Sequence, residues 1–343
     1  MHYLIYGVGA VGGMLGTRLA LAGEDVTFLT RPAYAQQLAR GLTVEQNNHA
    51  VTLQNPVIAG SLSDVSRRVD CLLLCVKLYD LESAIADIRL HTLPDTIVSF
   101  LNGVESEDEL AGAFGGDVII PATLTSAVSR QDPNTFLISR ERGVGIAGSH
   151  PLASPLLASL TAAGFNTRHY KDGRQMKWSK LLSNITANAT AAILGWSAGM
   201  VFSHPETYQL ELAALREAIA VMGGLGLRVA PLPSLPLHLL PAALRLPDPI
   251  LRPVLKRMVA GGRGGKPPSF SFDIARGRSE VRWLNGAVAR FGHELGIDTR
   301  VNRALTDILL DLVENRRLPA SIQNQPEVLI SLVETHANEM SLL

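Results

Sequence analysis

The chain has 343 residues, 47% of them hydrophobic, with 31 basic and 31 acidic side chains and a formal charge of zero. Its length exceeds one comfortable core and calls for two domains. The neutral balance gives no electrostatic footing for nucleic acid or an anionic membrane surface, and no apolar run reaches the roughly 18 uninterrupted residues of a membrane span.

Taken in chain order, residues 3–6 (YLIY) read as a short buried strand. No basic segment precedes them, and no small-residue cleavage site separates them from Arg18, Glu24 and Asp25, so the start is not read as a secretion signal and a cytoplasmic protein is expected. Gly7-Val8-Gly9-Ala10-Val11-Gly12 follows, then apolar residues at helical spacing through MLGTRLALAG up to Gly23, then a second strand at 26–30 (VTFLT). The result is a βαβ unit in about thirty residues.

The glycines then have mechanical roles. Gly7 permits the tight turn, Gly9 has no Cβ to hold a pyrophosphate off the backbone, and Gly12 lets helix and strand pack closely. The helix N-terminus offers N–H groups and the positive end of its dipole to phosphates. An ordinary glycine-containing turn is the alternative; the position between strand and helix favours the dinucleotide cradle.

An NAD-specific site carries Asp or Glu at the end of the second strand for the ribose 2′-hydroxyl. Here Thr30 and Arg31 stand there, while Glu24 and Asp25 fall before the strand. The Arg31 guanidinium suits a 2′-phosphate, which favours NADPH over NADH; a solvated arginine is the alternative. Further strands are expected at 71–76, 97–100 and 117–120, separated by helices such as 81–90, giving a parallel, doubly wound α/β sheet. Cys71 and Cys75 fall in one strand, roughly 13 Å apart at strand rise, beyond the reach of a disulfide. Lys77 and Asn102-Gly103 sit at equivalent carboxyl ends of strands, where such sheets bind ligands.

From about residue 170 helical patterns take over. One helix is predicted over 176–194 (MKWSKLLSNITANATAAIL), with Lys180, Asn184 and Asn188 within an arc of about 80°. The stripe holds an ammonium and two amides but no carboxylate, and apolar residues flank it, unlike a typical solvated face. A solvated face and a binding or catalytic stripe both stay open. The prolines of 231–268 are expected to break any long helix, leaving short helices and a mobile GGRGGK loop. The basic cluster Arg252, Lys256, Arg257, Arg263, Lys266 is assigned to solvent rather than to cofactor phosphates. Glu280 precedes an apolar helix, and two more helices follow. The nine histidines show no metal-ligand spacing, so no metal is expected.

Together these residues resemble the ketopantoate reductase (2-dehydropantoate 2-reductase) family over nearly the whole chain. The likeness rests on GVGAVG at 7–12 with Arg31, VK at 76–77, LNG at 101–103, KLLSNITANA from Lys180, SFSFD from Ser269, and SEVRWLNG around Glu280. It implies an N-terminal Rossmann-type NADP-binding domain over 1–168 and an all-α substrate and dimerisation domain over 169–343. It implies Lys180 as catalytic lysine and Glu280 as its acidic partner. Residues Gly7, Val8, Gly9, Ala10, Val11, Gly12, Arg31, Lys77 and Asn102 would bind cofactor, and Asn102, Asn184, Asn188 and Ser269 substrate. The implied reaction is NADPH-dependent reduction of 2-dehydropantoate to pantoate in pantothenate biosynthesis, with Lys180 as general acid. The expected partner is a small 2-keto acid, with no nucleic acid or membrane, and a homodimer stays open. The chain departs from the family at Leu194 and Ala198, where a further asparagine is expected nearby, and at Lys266 before the serine motif. The stretch from Asp273 to Glu280 is one residue short. These positions bear on the substrate, so a relative acting on another 2-keto acid and a non-catalytic NADPH sensor are the alternatives.

Overall fold

The structure is a computed structural model. It describes residues 1–91, 94–263 and 269–340, with backbone alone at 254, 257–263, 269 and 337–340. The chain divides into two compact units, 1–177 with 232–235, and 178–231 with 236–343. The division expected after residue 168 falls inside strand β12, Thr167–Tyr170.

The first unit is built on strands β1 (His2–Tyr6), β2 (Asp25–Leu29), β3 (Leu42–Gln46), β4 (His49–Leu53), β5 (Val57–Ala59), β6 (Cys71–Leu74), β7 (Ile97–Ser99), β8 (Ile119–Leu124), β9 (Ala127–Asp132), β10 (Thr135–Arg140), β11 (Val144–Ala147) and β12. Its helices are α1 (Ala10–Leu21), α2 (Pro32–Leu38), α3 (Leu81–His91), α4 (Ser106–Phe114) and α5 (Ala153–Ala162), with α6 (Gly173–Ile185) beginning there. Eight strands form one sheet in the order β12-β11-β8-β7-β6-β1-β2-β5. From β5 to β8 every pairing is parallel, as expected; β11 runs antiparallel to β8. Central strands read as unbroken apolar runs because helices cover both faces; Cys71, Leu72, Leu73 and Leu74 are all buried. Residues 117–118, expected to open a strand, belong to a 3-10 turn.

Register positions the site. Tyr6 pairs with Leu29 and with Leu74, and Leu74 with Ser99, so β1, β2, β6 and β7 end at one level. Their following loops leave on one edge, and strand order reverses direction between β1 and β6, the topological switch point.

A second sheet, β4-β3-β10-β9, was not legible in the sequence pattern. Asn47 and Asn48, both at positive φ, turn β3 into β4. Phe136 of β10 packs on α1 at Gly13, where a Cβ would fall 2.0 Å from its ring.

The second unit is helical throughout its described residues: the rest of α6, then α7 (Ala189–Leu194), α8 (Ala198–Ser203), α9 (Pro205–Gly224), α10 (Leu240–Ala243), α11 (Asp248–Arg263), α12 (Ser269–Arg276), α13 (Asn285–Glu294), α14 (Arg300–Val313) and α15 (Pro326–Met340). Helix α14 is its hub, packed by α7, α9, α12, α13 and α15. No helix among the described residues is long and apolar enough to cross a membrane.

Two expectations fail here. Helix α11, sixteen residues with Pro253 inside, is longer than the short helices expected among these prolines and runs into the GGRGGK segment as far as Arg263. The missing N–H and ring clash of Pro253 cost about 3 kcal/mol, which burial of Leu251 and Leu255 and a 3.1 Å bond from Arg252 Nε to Phe202 O offset. Arg252 is thereby taken out of the solvent-facing basic cluster, while Lys256 stays exposed. Of the GGRGGK segment, 264–266 lie outside the described residues. The second failure is the predicted helix 176–194, which breaks between α6 and α7.

Candidate active site

Gly7 turns the chain after β1 at φ +101°, a region closed to most side chains. Gly9 caps α1, and a Cβ on it would meet nothing within 4 Å, so the space beside the helix N-terminus is open. No side chain caps α1 and its first turn holds no acid, which leaves first-turn N–H groups for an anion. A Cβ on Gly12 would fall 2.2 Å from Gly7 O and 2.9 Å from both Cys75 Cβ and Ile5 Cγ2, so helix and strand approach as closely as glycine permits. Val8 is buried beneath this turn, and Ala10 and Val11 open the helix. Burial pushes the Cys75 thiol upward and keeps it neutral, so it adds no anion behind the cradle. These residues fit a dinucleotide pyrophosphate.

The same sheet edge carries the other expected cofactor residues. Arg31 follows β2, exposed, at the N-cap of α2, whose first turn has no acid. Lys77, half-buried, caps a 3-10 turn after β6. Asn102, half-buried, follows β7 and precedes Gly103 at φ +82°. Equal strand registers thus place the glycine turn, Arg31, Lys77 and Asn102 on one edge.

In the second unit, Lys180 and Asn184 are half-buried on α6, one turn apart, while Trp178, Leu181, Leu182 and Ile185 are buried around them. Asn188 does not continue their stripe. Ala187 adopts φ +49°, and Asn188 becomes the N-cap of α7, 3% exposed. The break has identifiable causes: Thr186 Oγ1 donates to Leu182 O at 2.6 Å, and Glu211 of α9, 2% exposed, accepts the Ala187 N–H at 2.6 Å and the Thr190 hydroxyl at 2.5 Å. A carboxyl acceptor from a distant helix thus takes the amide that a continuous helix would have bonded internally. Asn188 Oδ1 in turn accepts the Phe270 N–H at 3.5 Å, joining it to α12, the helix that Ser269 opens. The Ser269 side chain lies outside the described residues. Glu280, 3% exposed, caps a 3-10 turn rather than an α-helix. Asp273, also buried, fixes that turn by accepting the Glu280 N–H at 3.4 Å and the Ser279 hydroxyl at 3.3 Å. Among the described residues no cluster of His, Cys, Asp or Glu could hold a metal.

Two family models cover most of the chain: ketopantoate reductase PanE/ApbA matches residues 3–148, and its C-terminal counterpart matches 172–313. The chain belongs to the ketopantoate reductase family. The 2-dehydropantoate 2-reductase of Archaeoglobus fulgidus is 26% identical over 313 residues, covering 89% of this chain and 95% of that protein. That of Pyrobaculum aerophilum is 26% identical over 306 residues, with the same coverage. Among solved structures, a PanE/ApbA family ketopantoate reductase from Ralstonia eutropha superposes with a TM-score of 0.78 at 26% identity, over 92% of this chain and 99% of that one. A D-mandelate dehydrogenase solved with NADH and anilino(oxo)acetate shares the fold at TM-score 0.73 and 20% identity, covering 92% and 99%. Family membership makes the chain an oxidoreductase.

The sequence pattern had passed over the buried polar groups Lys177, Glu211 and Asp273. Lys177 is a charge in an otherwise buried turn of α6, and its side chain is 3% exposed. Such a residue three before Lys180 was the available signal; Glu211 offered none, because α9 reads as an ordinary mixed helix. At the departures from the family, Leu194 and Ala198 are both buried; Lys266 lies outside the described residues.

Proposed function

We propose that the chain reduces a small 2-keto acid with NADPH, 2-dehydropantoate (ketopantoate) being the first candidate and pantoate, in pantothenate biosynthesis, the product. The reading is carried by the family match over both units in a chain that keeps Lys180 and Glu280 at the family's motif positions. Residues 7–12 would hold the pyrophosphate, Arg31 the 2′-phosphate, and Lys77 and Asn102 the nicotinamide end of the cofactor, which would supply hydride to the keto carbon. Negative charge then grows on the carbonyl oxygen, where protonated Lys180 stabilises it and delivers a proton from Nζ, leaving the 2-hydroxy acid. Glu280 orients that ammonium, and its burial suits it to a fixed position. Asn102, Asn184, Asn188 and Ser269 hold the substrate through neutral hydrogen bonds.

A different 2-keto acid is the second reading, favoured by apolar Leu194 and Ala198. Loss of reduced-nicotinamide absorbance, followed with ketopantoate and in parallel with an aryl 2-keto acid, separates the two. Lys180→Ala should lower turnover by about 10²–10⁴-fold while NADPH affinity holds. Unchanged turnover in the variant would overturn the role of the lysine. Tight NADPH binding with no 2-keto acid reduced would make the chain an NADPH-binding sensor.

A further inference from the structure

The Lys177 ammonium meets two carbonyl acceptors and one carboxylate. It donates to Leu101 O at 2.6 Å and to Ser99 O at 3.3 Å, and it pairs with Glu107 Oε1 at 2.7 Å. Burying a charge this deeply is costly unless its partners are well placed. All three partners belong to one short segment: Ser99 ends β7, Leu101 directly precedes Asn102, and Glu107 lies in the first turn of α4. One ammonium therefore grips the chain on both sides of the Asn102-Gly103 turn. The Leu101 carbonyl and the Asn102 N–H share a rigid peptide plane, so fixing the oxygen fixes the plane from which Asn102 departs. An apolar side chain of the same length would fill the space without orienting that plane.

We propose that Lys177 is a positioning residue for the reaction, setting the Leu101–Asn102 peptide and, through it, the Asn102 side chain. The proposal rests on the reading of Asn102 as a cofactor- and substrate-binding residue. It assigns Lys177 no contact with substrate and no proton transfer.

The test compares Lys177→Met, Asn102→Ala and the double variant with the unmodified chain, all as NADPH complexes. Hydrogen exchange over residues 99–105 and ketopantoate turnover are read together. Lys177→Met should speed exchange in that segment and lower kcat by on the order of 10-fold to 10²-fold, as small misplacements of reacting groups do, with KM for NADPH little changed. In the Asn102→Ala background the lysine substitution should lower kcat no further, the non-additivity expected of a residue acting through another. Equal losses in both backgrounds would show a merely structural lysine and overturn the proposal. Unaltered exchange over 99–105 would also overturn it, whichever keto acid proves to be the substrate. If Asn102→Ala alone turns over like the unmodified chain, the reading of Asn102 fails, and that is seen without touching Lys177. Should Lys177→Met not fold, Glu107→Gln carries the test, with the same changes expected in smaller measure and their absence counting against the proposal.

Discussion

Glu211→Ala is the sharpest probe of how the helical unit shapes its polar groups. The carboxylate accepts the Ala187 N–H and the Thr190 hydroxyl inside a core where it is 2% exposed. A hydrogen bond contributes about 0.5–1.5 kcal/mol net, and an orphaned buried donor costs about 1–3 kcal/mol. Two such donors left facing a small cavity put the loss at about 3–5 kcal/mol, or roughly 8–15 °C in the melting of a unit this size. Glu211→Gln keeps one good acceptor and should lose about half as much. Thr190→Val should cost less in the Glu211→Ala background than alone, because its partner is already gone. Urea denaturation and calorimetry of the full chain measure all four variants. A Glu211→Ala melting temperature within about 2 °C of the unmodified chain would refute the claim that this carboxylate holds the break.

Other outcomes follow from the same geometry. Gly9→Ala should leave thermal stability unchanged, since its Cβ meets nothing, yet weaken NADPH binding; Gly12→Ala, driven against the Gly7 carbonyl, should lower both. Fluorescence titration with NADPH beside a melting curve distinguishes the pair, and unaltered binding by Gly9→Ala would remove residues 7–12 from the cofactor reading. Arg31→Asp should reverse the preference between NADPH and NADH, and equal affinity of the unmodified chain for both would refute the 2′-phosphate assignment. Glu217 accepts the Val301 and Asn302 N–H groups at 2.9 Å, but burial outweighs them and holds its carboxyl above the ordinary 4.5. Its contribution to stability is therefore fully present below that value and lost as pH rises through the raised one. Glu217→Gln should flatten that decline, and melting curves across the window that change identically in variant and unmodified chain would refute it.

The sequence by itself determined the local and periodic features. Strand, glycine turn, helix and strand follow from residues 3–30 because each rests on near neighbours and on backbone freedom at Gly7, Gly9 and Gly12. The parallel sheet followed from apolar runs, and the family from motif order. Lys180, Asn184 and Glu280 were named from the chain alone for the same reason.

Tertiary structure decided what depends on distant partners. The stretch 176–194 has the composition of one helix, and only Glu211, some twenty residues on, draws the Ala187 amide out of it and turns Asn188 into a cap. Helix α11 outgrows the short helices expected around Pro253 where Leu251 and Leu255 are buried and Arg252 bonds Phe202 O, gains that local propensity does not count. Lys177 reads as one more charge until Ser99, Leu101 and Glu107 converge on it. Local preferences amount to about 1 kcal/mol per residue, or about 3 for proline. A buried charge or a buried amide is worth as much or more, so where the two conflict the distant partner sets the backbone.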